Sequence, residues 1–302
     1  MNAHGQATFP PPAELPVGIY DYLSYGRNSY PNPNPRMNVL LPTDFSENAD
    51  LACDFAFDIA KRSGGKVMAI NAYDLPYSDR SMTTSLLEVM KENAENNMNE
   101  FKKRLEGYGT PFETEVILGN PIRIIKEKAH SGTVDIIVMG TKGASGLEEI
   151  LIGSNAASVI QNSNVPVLII PPQAELKPFE KIVFASDFNL VNQAGALAQL
   201  RQFVELYGAA LDVVHVQKDS GSPSGTREAL AKAFEGLAFE FTILHNDNVE
   251  AAVTQEAEKE KAQAIAAVSR RYGFFEGLFH RSLTSKLAYH THIPLLVLHE
   301  PK

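Results

Sequence analysis

Segments of this chain recur at long range and in the same order, and that recurrence restricts the fold more than any single motif. Leu41-Pro42-Thr43-Asp44-Phe45 returns as Phe184-Ala185-Ser186-Asp187-Phe188, and Val67 to Ala72 returns as Leu211 to Val216. Val165-Pro166-Val167-Leu168-Ile169 returns as Ile293-Pro294-Leu295-Leu296-Val297. A unit much longer than a solenoid repeat predicts two tandem domains of one fold.

Within the first copy, short apolar runs alternate with helical patterns. Met37 to Leu41, Val67 to Ala72, Phe112 to Leu118, Val134 to Met139 and Val165 to Ile170 read as strands. Between them lie helices over Glu47 to Arg62, closed by Gly64-Gly65, then Thr84 to Glu106, and a third from the Asn120-Pro121 start to His130. Asparagine at the cap with proline at the first helical position is a helix-start signal. Five strands alternating with helices predict an α/β fold, a parallel sheet covered on both faces, in each of two tandem five-stranded domains. The second copy is shorter between its second and third strands, leaving room only for a short helix within Thr226 to Leu237.

The predicted boundaries are an arm over 1–35, a first domain over 36–172, a linker over 173–179 and a second domain over 180–302. Prolines at 10, 11, 12, 16, 31, 33 and 35 deny the arm regular pairing. Its tyrosines at 20, 22, 25 and 30 serve either loose coil or docking.

A net charge of −9 argues against a field that steers nucleic acid or an anionic membrane, so any bound anion must be held by local geometry. The single cysteine, Cys53, excludes an internal disulfide and falls on an amphipathic helix, where a buried inert thiol is expected. No apolar run is long enough for a membrane span, and the start lacks a basic segment followed by an apolar core, so a cytoplasmic location is expected.

Residues 138–155 read VMGTKGASGLEEILIGSN, with four glycines between an apolar run and a helical pattern starting near Ser154. A helix N-terminus after a buried strand presents unpaired amides and the positive end of the helix dipole, a setting that favours phosphate. Glycine there permits close backbone approach. Neither the Gly-x-x-x-x-Gly-Lys-Ser/Thr loop nor the compact Gly-x-Gly-x-x-Gly order is present. In an open parallel sheet the ligand lies beyond the carboxyl ends of the strands, where Thr43, Asp44 and Ala72 would share a crevice with the glycine turn.

Gly140, two residues, Gly143, nine residues, then Gly153-Ser154 is similar to the nucleotide motif of the universal stress protein family. Pro42-Thr43-Asp44-Phe45-Ser46 and Val165 to Ile170 resemble that family's first and last strands, strongly over 37–172 and more weakly over 180–302. The resemblance implies Rossmann-like domains of the adenine nucleotide alpha hydrolase type. It also implies an ATP site, with or without magnesium, formed by Pro42, Thr43, Asp44, Ala72, Met139, Gly140, Gly143, Gly153, Ser154 and Asn155. Asp44 would stand by the ribose or metal, Ala72 by the adenine, and the glycines around the phosphates. Glu148-Glu149 depart from the family, which often carries a basic residue there.

In the second copy Ser269 replaces Gly140 and Arg281 replaces Gly153, so the same ATP pose is not expected. Arg270, Arg271, His280 and Arg281 form a solvated basic loop, an interface or a different anion site. His290 and His292 lack metal spacing, no metal site is expected, and His215 and His245 read as solvated or core histidines.

The resemblance implies a stress-response regulator or sensor that binds an adenine nucleotide in its first domain. A nucleotide-free interaction or chaperone-like module and a slow magnesium-dependent ATPase are the alternatives, and no residue reads as a catalytic base. Family members commonly dimerise through the last strand. Val165 to Ile170 would then pair with Ile293 to Leu298 inside one chain as a pseudo-dimer, with unknown protein partners and further association into a homo-dimer left open.

Overall fold

The computed structural model describes residues 36–74, 84–141, 154–186, 194–217, 227–269 and 293–299. The arm over 1–35, Gly143, Gly153, Glu148-Glu149 and the basic loop from Arg270 to His292 lie outside the described residues.

The first half runs β1 (Val39–Pro42), α1 (Glu47–Ser63), β2 (Val67–Tyr73), α2 (Thr84–Glu106), β3 (Phe112–Leu118), α3 (Pro121–Ala129), β4 (Ile136–Gly140), α4 (Ser154–Asn162) and β5 (Val167–Ile170). The second half runs β6 (Lys181–Ala185), α5 (Ala194–Tyr207), β7 (Ala210–Gln217), α6 (Arg227–Ala233), β8 (Phe239–His245), α7 (Val249–Lys259), β9 (Ala264–Val268) and β10 (Leu295–Leu298). Helix α6 has 7 residues where α2 has 23, as the shortened second copy requires.

Local chemistry sets these boundaries. Ser46 caps α1 by accepting from the Ala49 amide at 3.3 Å, and Gly64 ends it with φ 69°, a left-handed angle that costs glycine little. Gly65 must also be glycine, because a Cβ there would fall 1.9 Å from the Met37 carbonyl oxygen. Asn120 caps α3 through the Arg123 amide at 3.1 Å, with Pro121 in the first turn. Strands β1, β4 and β5 begin two residues later than the apolar runs suggest. Met37, Val134 and Val165 are apolar because they pack at the sheet's lower rim, not because they pair in it.

All ten strands form one sheet in the order β3-β2-β1-β4-β5-β10-β9-β6-β7-β8. Neighbours are parallel except β5 and β10, which run antiparallel with Leu295 opposite Ile169, Leu296 opposite Leu168 and Val297 opposite Val167. The two halves thus meet through their last strands. One core spans both halves on one face, with Phe55 of α1 6.0 Å from Phe179 and Phe179 4.8 Å from Tyr207 of α5. Tyr207 donates to Asp58 of α1 at 2.8 Å, and the Arg62 guanidinium lies 4.9 Å over its ring. Helices α3 and α4 cover the other face of the first half, and α7 covers it in the second.

The seam is fastened again by His299, which follows β10. Its Nε2 bonds the Ile160 carbonyl of α4 at 2.6 Å, and its amide donates to Gln199 of α5 at 3.1 Å. Burial pushes the His299 imidazole below its usual range, so the ring is neutral and Nε2–H is the donor. Cys53 is fully buried, and desolvation pushes its thiol up to about 12, which leaves it unreactive. No helix among the described residues is long and apolar enough to cross a membrane.

Asp212 of β7 is the one fully buried carboxylate among the described residues. One oxygen accepts from Thr242 at 2.8 Å while Oδ2 has no partner. Desolvation raises its pKa above the ordinary value of 3.8, against a lesser lowering by Thr242. The folded carboxyl therefore holds its proton to higher pH than the unfolded one. The cost is absent below the ordinary carboxylate range and grows as pH rises through it. Asp212→Asn keeps the acceptor for Thr242, so its urea midpoint should exceed wild type at pH 7.5 and converge with it towards pH 4. Equal midpoints at pH 7.5 would show that the carboxylate carries no such cost.

Candidate functional site

The strand order reverses between β1 and β4, since β2 and β3 lie to one side of β1 and β4 and β5 to the other. Helices leave the sheet in opposite directions at such a point, opening a crevice beyond the carboxyl ends of the strands. Pairing of Pro42 with Ile70, continued by one and two steps, sets Thr43 level with Asn71 and Asp44 with Ala72. The β1–β4 register, which pairs Leu40 with Ile137, brings Thr43 level with Gly140 when continued three steps. Six of the ten expected site residues, Pro42, Thr43, Asp44, Ala72, Met139 and Gly140, therefore share one rim.

The loop after β1 is held by its own side chains. Thr43 Oγ1 accepts from the Phe45 amide at 3.0 Å, and Asp44 Oδ1 accepts from the Ser46 amide at 3.1 Å. Phe45 takes φ 61°, a strained angle for an aromatic residue, and its ring packs edge-on against Phe101 at 5.8 Å. Thr43 is buried, so Asp44 is the exposed carboxylate of the rim. Helix α4 begins at Ser154, with Asn155 exposed and Ala156 buried beneath it. An α-helix leaves its first amides without intrahelical partners, and in the sequence this helix start follows the glycine turn.

Met139 packs into the core between the sheet and α3 and α4, and Ala72 lies against the same cluster. Neither projects a large side chain across the crevice.

Three residues that the sequence did not single out shape the rim. Asn71, buried in β2, donates to the Thr43 carbonyl at 2.8 Å. Asn48, buried in the first turn of α1, donates to the Ile170 carbonyl at 3.0 Å, and Thr141 Oγ1 bonds its Oδ1 at 3.4 Å. Asparagines are common in loops and caps, and nothing in their spacing marks these two as buried. The pairing Asn71 to Thr43 returns in the second half as His215 Nδ1 to the Ser186 carbonyl at 2.9 Å. The backbone link beside it is also kept, Thr43 to Ile70 and Ser186 to Val214, both 2.9 Å. His215 therefore has a positioning contact.

Asn48 also explains Gly140. A Cβ on Gly140 would stand 2.6 Å from Asn48 Oδ1 and 3.0 Å from its backbone oxygen. Glycine is needed here because α1 crosses β4 at that point, a reason separate from the approach of any ligand. Gly140→Ala should destabilise the fold by about 1–3 kcal/mol, the usual cost of overpacking. Asn48→Ala in the same chain should recover only part of it, because the backbone oxygen stays. Urea unfolding of the two single variants and the double variant checks this, and an unchanged Gly140→Ala midpoint would refute it.

The model of the universal stress protein family matches residues 35–171. Universal stress protein MJ0531 of Methanocaldococcus jannaschii is 37% identical over 136 residues, 44% of this chain and 80% of that protein. Universal stress protein MJ0577 of the same organism is 31% identical over 150 residues, covering 93% of its length. Among solved structures, a universal stress protein from Archaeoglobus fulgidus superposes on 90% of this chain and 99% of its own, with a TM-score of 0.72 and 24% identity, a likeness of fold. With the matched segment holding the reversal point and its rim, the chain belongs to the universal stress protein family.

Proposed function

We propose that this protein is a stress-response sensor that binds ATP, or another adenine nucleotide, in the crevice of its first half. The observation that carries the reading is the strand-order reversal that sets Thr43 and Asp44 beside Gly140 and Thr141, with the start of α4 next in the chain. The rim suits a nucleotide: an exposed carboxylate for ribose hydroxyls or a magnesium ion, small Ala72 where a base would lie, and helix amides for phosphate. A magnesium ion, when bound with the nucleotide, would offset phosphate charge near Asp44. Gly143 and Gly153 enter this proposal by their place in the motif.

The second half keeps the backbone frame of such a crevice but not the glycines, since Ser269 and Arg281 stand in the corresponding positions. One nucleotide per chain is the expected stoichiometry. The division into two domains at 173–179, and a regulatory role in which the bound nucleotide alters partner contacts, belong to the same proposal.

Calorimetric titration of magnesium-ATP tests the reading. Wild type should bind one equivalent, and Gly153→Arg, which copies the second half's residue, should abolish binding while keeping the circular dichroism spectrum. Asp44→Asn preserves the acceptor for Ser46, and it should weaken binding about tenfold by losing one charged contact. No binding by wild type would leave the nucleotide-free interaction module, and sustained phosphate release would turn the reading towards an ATPase.

A further inference from the structure

The last turn of α4 borrows a donor from the other half of the chain. Its Val159 carbonyl takes the Ser163 amide at 2.9 Å, but its Ile160 carbonyl takes the Nε2–H of His299 at 2.6 Å. His299 is buried, and its own amide donates to Gln199 of α5 at 3.1 Å. One residue after β10 is thus tied to α4 by its ring and to α5 by its backbone.

The surroundings of this ring fit its neutral form. Nδ1 is enclosed and has no hydrogen-bond partner. A neutral ring leaves one lone pair unmet there, whereas a protonated ring would place an N–H and a positive charge at the same enclosed spot. A buried charge without a counter-charge costs far more than a buried lone pair. No counter-charge stands by: α4, the turn over 163–166, β5, β9 and β10 contain no ionisable residue. On α5, Arg201 and Glu205 pair with each other at 2.8 Å, and Arg201 also donates to the Ala233 and Glu235 carbonyls. Asp135, ahead of β4, accepts from the Asn38 amide at 2.7 Å, and Glu300 lies outside the described residues. A helix C-terminus favours a cation, and the carbonyls of Ile160 and Val165 act in that direction, but burial outweighs them and holds the imidazole below its ordinary value of 6.5.

Val165 and Gln199, both neighbours of His299, also line a cavity of about 280 Å³ at the seam, with Met37 and Asn164 from the first half and Phe203 and Leu296 from the second. Space for water therefore lies one residue away from the buried ring. We infer that His299 is an acid-operated clasp between the two halves: neutral, it holds the end of β10 to α4, and protonation favours a loosened β5–β10 seam in which the ring reaches water. The penalty on the closed seam is absent above the ordinary value of 6.5, grows as pH falls below it, and levels off below the value of the folded ring. It runs opposite to that of Asp212, whose cost grows as pH rises. The clasp requires no nucleotide in the crevice.

His299→Gln in the full chain tests the clasp, because its amide donates to Ile160 as Nε2–H does but takes no charge. Hydrogen exchange of the β5 and β10 amides is measured in wild type and variant at pH 7.5 and 5.8. The wild-type rate divided by the variant rate should rise at least about threefold between the two conditions. Taking the ratio at one pH removes both the intrinsic exchange rate and the effect of Asp212. The Cε1–H resonance of His299 in the wild type gives a second readout that needs no stable variant, and it should titrate below 6.5. A rate ratio that is unchanged or falls at pH 5.8, or a ring that titrates at or above its ordinary value, would each overturn the clasp.

Discussion

The antiparallel pairing of β5 with β10 is the contact on which the rest of the molecule depends. Each half, taken alone, would end in a strand of four apolar residues with an unpaired ladder of amides and carbonyls, a template for association with other chains. Pairing the two edges inside one chain satisfies both ladders and buries both strands. It also turns two five-stranded halves into a single ten-stranded sheet, whose remaining edges are β3 and β8. On those edges exposed glutamates such as Glu113, Glu115 and Glu240 alternate with half-buried residues, a pattern that discourages pairing with another chain.

Everything near the seam follows from that closure. The core joining Phe55, Phe179, Phe203 and Tyr207 exists because the pairing brings α1 and α5 onto one face. His299 reaches the last turn of α4 because β10 lies beside β5, so a residue of the second half binds a carbonyl of the helix that begins at the glycine turn. The seam cavity has walls from both halves for the same reason.

The two halves share one backbone frame after their first strands. Asn71 and His215 occupy corresponding positions and each bonds the carbonyl after the first strand of its half. The positions that would decide ligand contact differ, with Gly140 against Ser269 and Gly153 against Arg281. Gly140 has a packing role as well, because Asn48 fills the space its Cβ would take. Glycine at this position therefore has a packing reason that holds whether or not a ligand binds.

Much of the fold was legible in the sequence because its signals are local. β-branched apolar runs mark buried strands, Ser46 and Asn120 mark helix starts, and Gly64 marks a helix end, each through backbone chemistry within a few residues. The repeat set the order of elements in both halves, and the shortened segment foretold the seven-residue α6. Pro42, Thr43, Asp44, Ala72, Met139 and Gly140 lie at or just beyond the carboxyl ends of β1, β2 and β4, as their places in and after the apolar runs implied. What local signals could not carry was which polar groups would be buried and against what. Asn48, Asn71, Asn164 and Asp212 look like ordinary surface residues in the sequence, and only the crossing of α1 over β4, the placement of β7 under α7 and the joining of β5 to β10 gave them their environments. The sequence by itself determined the elements, their order and the family, since these rest on short-range patterning. Tertiary structure alone decided the buried hydrogen bonds, the reason for Gly140 and the cavity at the seam, because each depends on residues brought together from distant parts of the chain.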